Sequence, residues 1–288
     1  MQARYIEAND RADLYAFVNT VSTKDSRAID YFFKTLLSSE VILVEYQGLI
    51  KCLISFDERI LNMAGHKIKV AYINELLIDP KLNQDQALDL ITDLLADKYL
   101  LTISHHEKLG NNFIEIANKY QYEILRKQLY NVNGYSISDE FLDYELMDVY
   151  NAYISKFDVY FDLAKNVSLT DLLEDYEVFA TRDINEEIKG FIVYNYSEGI
   201  MHVRSLVYTD ALSLLTLLNQ AMGMNDKIIV QVALFENFEL VVDNLKGQIK
   251  ALTSICVNDE ILFKRLFNHK YSSITEMLES SGKSYYFL

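Results

Sequence analysis

VILVEYQGLIKCLISF (residues 41–56) and IKVAYINELLIDPKLNQDQALDLITDLL (68–95) decide the fold. The first stretch holds two runs rich in Val, Ile and Leu around Gln47-Gly48, which is a hairpin signal. Ala64-Gly65-His66 marks a second turn, leading into a strand over 68–78. Asp79-Pro80 ends that strand, because proline has no N–H to give to a ladder. From residue 84 the apolar period lengthens to that of a helix. Ala87, Leu88, Ile91, Leu94 and Leu95 fall on one face, and Asn83 is placed to cap the first turn. Residues 41–98 thus read as three antiparallel strands feeding a helix.

Upstream, residues 3–7 read as a short strand, and 10–21 and 25–38 as helices. Downstream, YLLTIS (99–104) reads as a strand, 111–120 as a helix and 122–132 as a strand. The second half repeats part of this order. EVFATRDINEEIKGFIVYNY reads as a hairpin, and GIMHVRSLVYTDALSLLTLLNQAM as strand, acidic turn and helix. Residues 227–233 and 248–257 read as further strands, and two short helices finish the chain. Between the halves, residues 139–187 carry fourteen Asp and Glu against three bases, so −11 of the formal −15 lies there. Leu146, Tyr150, Tyr153, Phe157 and Tyr160 recur at helical spacing in this segment. They predict one long helix whose acidic face is either solvated or a wall recruiting a cationic acceptor. The expected division is a first domain over 1–138, an acidic helical connector over 139–175 and a second domain over 176–288.

The net charge of −15 argues against nucleic acid and anionic membranes, which need basic patches. It favours an amine or other cationic small molecule, or a basic protein segment. Nine Gly and one Pro in 288 residues leave little room for long linkers. Cys52 and Cys256 lie in apolar strand-like runs and read as buried thiols of a reducing compartment. No metal-ligand spacing is present, so no metal is expected. MQARYIEAND is not a charged-then-apolar leader, and no run of apolar residues is long enough to span a bilayer. The expected location is cytoplasmic. The sequence does not fix an oligomeric state.

The stretch 41–124 resembles the core of the GNAT N-acetyltransferase family, through VILVEYQGLIKCLISF, INELLIDPKLNQDQALDLITDLL and NKYQYEI. The repeated hairpin–strand–helix unit narrows the likeness to the tandem-GNAT group that includes the enhanced-intracellular-survival acetyltransferases. There an active GNAT domain is followed by a degenerate one. The resemblance implies an α/β fold of tandem GNAT-like mixed sheets flanked by helices. It also implies transfer of an acetyl group from acetyl-CoA to an amine acceptor. The alternative is a non-catalytic binding or regulatory protein on the same scaffold.

The likeness further implies that the backbone of Leu76, Leu77 and Ile78 pairs with pantetheine, and that the diphosphate sits over Asn83, Gln84, Asp85 and Gln86. In the family that turn reads Arg/Gln-x-x-Gly-x-Gly/Ala. Here Pro80 matches, Asn83 falls at the Arg, and Gln84 and Gln86 fall at the glycines. Glycines let a backbone approach phosphate closely, so their loss predicts a degenerate cofactor loop. Asp85, Asp89, Asp93 and Asp97 align along one helix face, read as a solvent face that still opposes a polyanion. The family's acidic tyrosine aligns with Ala117 in IANKYQYE (116–123), with Tyr120 and Tyr122 nearby and Tyr122 expected in the core. Glu75 is the remaining catalytic candidate, either a general base or a paired structural carboxylate. If Leu76 and Ile78 face one way, Glu75 shares a face with Ile73 and Leu77. His105-His106-Glu107 falls near the acceptor position and reads as loop residues rather than a metal site.

Overall fold

The structure is a computed structural model and describes residues 1–22, 39–105, 109–129, 132, 134–162, 176–236, 238–240, 242, 244–281 and 285–286. It divides into two compact units. Met1–Leu61, His66–Ile116 and Leu252–Met277 form the first; Asn62–Gly65, Ala117–Ala251 and Leu278–Leu288 form the second. The division does not follow the expected boundaries at 138 and 175. Residues 117–138 belong with the second half, and 252–277 with the first.

The first unit contains β1 (Gln2–Tyr5), α1 (Arg11–Val21), β2 (Glu40–Tyr46), β3 (Leu49–Met63), β4 (His66–Ile78), α2 (Gln84–Ala96) and β5 (Leu101–Ser104). The helix expected over 25–38 lies outside the described residues. Strands run in the order β1–β2–β3–β4–β5, with β4 and β5 parallel. Residues 254–257 add antiparallel to β5, from Ser254↔Ser104 to Val257↔Leu101. Both predicted hairpin turns place two residues at positive φ: Gln47 and Gly48 at 54° and 75°, Ala64 and Gly65 at 48° and 83°. That is the backbone of a type I′ turn, whose twist matches the strands. Ala87, Leu88, Ile91 and Leu95 of α2 pack on Ile42, Val44, Ile54 and Ala71. On the other face, Leu14, Phe17 and Val18 of α1 pack on Val41, Leu43 and Leu53. The alternation of β2 thus feeds both cores.

The second unit contains β6 (Ile114–Leu125, from Ala117 onward), β7 (Ser136–Ser138), α3 (Asp143–Ile154), β8 (Val159–Asp162), β9 (Glu177–Arg182), β10 (Ile188–Ser197), β11 (Ile200–Tyr208), α4 (Ala211–Met224), β12 (Lys227–Ala233) and the start of β13 (Gly247–Val257). Its order is β6–β12–β11–β10–β9–β7, with β11 and β12 parallel. Leu214, Leu217, Leu218 and Ala221 of α4 cover one face over Ile192, Val203, Ile228 and Val230. Leu146, Val149, Tyr150 and Tyr153 of α3 cover Phe191, Val193 and Val207 on the other. The short helices α5 (Glu260–Leu266) and α6 (Ile274–Ser280) follow β13.

Two expectations are corrected. Residues 114–125 are a strand, not a helix over 111–120, because Ile114, Ile116, Tyr120, Tyr122 and Ile124 alternate with period two. Tyr122 is buried as expected, stacked on Phe238 with ring centroids 5.9 Å apart. The acidic helix stops at Ile154 instead of running to Tyr160. Val159 and Phe161 alternate inward on β8 beyond it, a strand pattern that fits no continuing helix face. Of the connector, residues 163–175 lie outside the described residues.

Candidate functional site

The parallel pairing of β4 with β5 runs from Val70↔Leu101 to Ile73↔Ser104. β4 runs on for five residues past this pairing, and all of Asn74–Ile78 are half-exposed. Ala71, Ile73, Leu76 and Ile78 all pack toward α2, while Leu77 packs toward α1. Strict alternation would put Ile73 and Leu77 on one face, so the side-chain alternation slips by one residue at 74–75, as at a β-bulge. Glu75 lies at this slip, and the single face expected to hold Ile73, Glu75 and Leu77 does not form, because Ile73 packs toward α2 and Leu77 toward α1. Strand separation and slip together leave a wedge whose wall is the backbone of Leu76, Leu77 and Ile78.

At the wide end of the wedge, Asp79 stops the strand and accepts from Lys51 Nζ at 2.7 Å and from the Lys81 N–H at 3.0 Å. These bonds hold the Asp79 carboxyl below the usual carboxylate range, the Lys51 bond foremost. Asn83 caps α2 as expected, its Oδ1 accepting from the Gln86 N–H at 3.1 Å. Gln84 Nε2 donates to the Leu109 carbonyl at 2.6 Å. Asp85 accepts from Asn111 N and Nδ2 at 3.1 and 3.0 Å, and Asp89 from Asn112 Nδ2 at 2.6 Å. The acidic stripe is therefore not purely a solvent face. Its first two members clamp the loop 109–112, while Asp93 and Asp97 are exposed. Gly110 fits under this clamp, since a Cβ there would lie 2.9 Å from Leu88 Cδ1. A cleft of about 580 Å³ opens here, lined by Gln84, Asp85, Gly110, Asn111, Phe113 and Glu115. It carries two carboxylates and no cation.

At the narrow end, the next residue after β5 is His105. Its ring meets Tyr72 edge-on, with centroids 5.3 Å apart, and its Nδ1 lies 3.4 Å from Thr253 Oγ1. The Arg59 guanidinium stacks on the Tyr72 ring at 3.5 Å. Asn74 Nδ2 donates to Asp57 Oδ2 at 2.8 Å. Sequence reading missed Asp57 and Arg59 of β3, Tyr72 of β4 and Thr253 of β13, which three strands far apart in the chain bring together. His106 and Glu107 lie outside the described residues. The position aligned with the family's tyrosine, Ala117, stands on strand β6, so no helix carries that residue.

The second unit holds a matching corner. Pairing of β11 with β12 covers Met201↔Ile228 to Val203↔Val230, and the register of β11 on β10 shifts at Arg204. Val203 and Leu206 then face α4, and Val207 faces α3. This is the same slip as in β4. Here, however, Ser205, Leu206 and Val207 are buried. The cap of α4 is Asp210, whose carboxylate accepts from the Ser213 N–H at 2.8 Å and from Tyr135 Oη at 3.3 Å. Tyr208 Oη donates to Glu236 Oε1 at 2.6 Å, and burial raises the Glu236 carboxyl above its usual range.

Burial also pushes the Cys52 thiol up to about 12 and Cys256 to about 11, which makes both poor nucleophiles near neutral pH. No group of three or more His, Cys, Asp or Glu suited to a metal occurs among the described residues. No described helix is long and apolar enough to cross a membrane.

No family model and no curated protein matches the sequence. Solved structures do match the fold. A GCN5-related N-acetyltransferase from Anabaena variabilis superposes with a TM-score of 0.72 at 10% identity, over 90% of this chain and 73% of its own. A probable N-acyltransferase from Enterococcus faecalis gives 0.68 at 10% identity, over 90% and 73%. Eis1 from Mycobacterium abscessus gives 0.64 at 13% identity, over 90% and 74%. The strand order, the two separating parallel pairs and these likenesses agree: the chain has the tandem GNAT, Eis-like fold.

Proposed function

We propose that the first unit is a GNAT-type N-acyltransferase site that takes acetyl-CoA in the β4–β5 wedge and an amine on the side of Asp57 and Glu75. The observation that carries this reading is the half-exposed run Asn74–Ile78 beyond the last β5 pairing. Beyond the last β5 pairing the β5-side edge of this strand can take hydrogen-bond partners, and an extended amide-bearing arm supplies them. Leu76, Leu77 and Ile78 would hold that arm. Acyl transfer forms a C–N bond to the amine and breaks the thioester C–S bond. Glu75, at the slip in β4, would take the proton the amine loses, directly or through water.

The diphosphate end fits less well. Gln86 N–H is committed to Asn83, and Asp85 places a carboxylate at the helix start that an anion would use. This favours weak cofactor binding at Asn83, Gln84, Asp85 and Gln86, and slow turnover. The same observation supports a second reading, a non-catalytic binding or regulatory protein on this scaffold. Calorimetric titration of the full chain with acetyl-CoA, together with thiol release in the presence of a polyamine, separates the two. Weak saturable heat with slow thiol release is expected. No heat at millimolar acetyl-CoA removes the enzyme reading.

A further inference from the structure

One face of the second unit's sheet is polar beyond the part that α3 covers. Gln121 of β6 pairs with Gln231 of β12, and Lys119 pairs with Ala233, so their side chains share a face. His202 of β11 pairs with Ile229 of β12 and with Asn195 of β10, which places both on that same face. Arg204, at the register shift, donates from Nε to Asn195 Oδ1 at 3.1 Å and is thereby held on it too. Further along, Val193 and Val207 lie under α3, and Ala233 packs in the same core. Lys119, Gln121, Gln231, His202 and Arg204 are all half-buried.

Among the described residues, two cations on this face have no carboxylate partner. Glu123, the acid on the same face of β6, is engaged by Lys227 Nζ at 3.4 Å. Among the described residues, neither Lys119 nor Arg204 forms an ion pair. Among the described residues, Arg204 spends one donor on a neutral amide and keeps the rest of its planar fork. A chain with a formal charge of −15 has no shortage of carboxylates to pair with them. Poorly hydrated ammonium groups without a counter-charge are destabilising, and proteins rarely keep them without a use. Loss of water around Lys119 and repulsion from Arg204 bring its ammonium down to about 8.

We propose that this face is a binding site for a small oxyanion, a carboxylate or a phosphate, held between Lys119 and the open side of the Arg204 fork, with the Gln121 and Gln231 amides as neutral donors. The site lies wholly in the second unit and needs nothing from the β4–β5 wedge. A bidentate guanidinium plus an ammonium matches an anion with two or more equivalent oxygens. The two glutamine amides add orientation without charge.

The test is calorimetry and thermal melting of the full chain with inorganic phosphate in one arm and acetate or succinate in the other. Each is compared with sodium chloride at equal ionic strength. A rise in melting temperature beyond that of chloride is expected in at least one arm, and the arm that responds identifies the oxyanion. Lys119→Met and Arg204→Gln should each weaken that binding about tenfold or more. Lys227→Gln, a surface control paired with Glu123, should leave it unchanged. Without added anion, Lys119→Met should raise the melting temperature, because it removes an unpaired ammonium. No response to either anion beyond chloride overturns the proposal. So does a Lys119→Met chain that melts below the wild type without anion, which would make Lys119 a structural cation. Neither result bears on acetyl-CoA binding, which is measured separately.

Discussion

The β4–α2 corner of the first unit and the β11–α4 corner of the second share one backbone plan. In each, parallel pairing stops, the side-chain alternation slips by a residue, and the strand leads into a capped helix. They differ in what occupies the corner. Asn74–Ile78 are half-exposed, whereas Ser205, Leu206 and Val207 are buried. α2 starts on a neutral Asn83, α4 on the Asp210 carboxylate. β10 approaches β11 closely enough that a Cβ on Gly190 would lie 2.7 Å from the Val207 carbonyl oxygen. A few side chains therefore decide whether the same corner is a ligand wall or part of a core. If one of the two takes a coenzyme, these differences select the first.

The sharpest way to break this contrast uses matched leucines. Leu206→Ala should cost about 2–5 kcal/mol, the range for a fully buried leucine. Leu76→Ala should cost about 1 kcal/mol, because much of that side chain already meets water. Denaturant unfolding reads both, and equal losses would mean that the first wedge is closed too. Next come the caps. Asp210→Ala should cost about 1–2 kcal/mol, since its carboxylate serves both Ser213 and Tyr135, and Asn83→Ala about 0.5–1 kcal/mol. An equal or reversed order in the same unfolding series would contradict the difference in cap strength.

A smaller effect, read through pH, concerns the filled corner. The Glu236 carboxyl is raised in the folded chain, so the folded state holds more protons than the unfolded one between the two pKa values. Stability therefore falls as pH rises through that window. Glu236→Gln keeps an acceptor for Tyr208 Oη and removes the titration. Its melting temperature should gain on the wild type as pH rises from the ordinary carboxylate range toward neutrality. A gain that is flat with pH would show that Glu236 stays ionised. The smallest effect belongs to the open corner. Asp85→Asn removes a negative charge from the start of α2 and should tighten acetyl-CoA about two- to fivefold, the equivalent of about 0.3–1 kcal/mol. Unchanged affinity would place the diphosphate away from this helix end.

Much of the first unit was legible because its signals are local. The Gln47-Gly48 and Ala64-Gly65 turns, the stop at Asp79-Pro80, the Asn83 cap and the apolar stripe of α2 each occupy a few adjacent residues. The helix expected over 111–120 is instead part of strand β6, where Ile114, Ile116, Tyr120, Tyr122 and Ile124 alternate with the period of a strand. The residues around the wedge were only partly legible. Glu75 and 76–78 lie on one strand, but Asp57, Arg59, Tyr72, His105 and Thr253 meet across β3, β4, β5 and β13.

By itself the sequence determined the strand–helix order, the repeat and the loss of the phosphate-loop glycines, because periodicity, turn chemistry and residue identity act over short distances. Only the tertiary structure decided that 252–277 joins the first unit, that one corner is open and the other filled, and that Lys119 and Arg204 share a face with neither in an ion pair among the described residues. Those outcomes depend on pairing between residues far apart in the chain, and on which side chains are left without partners once that pairing is complete.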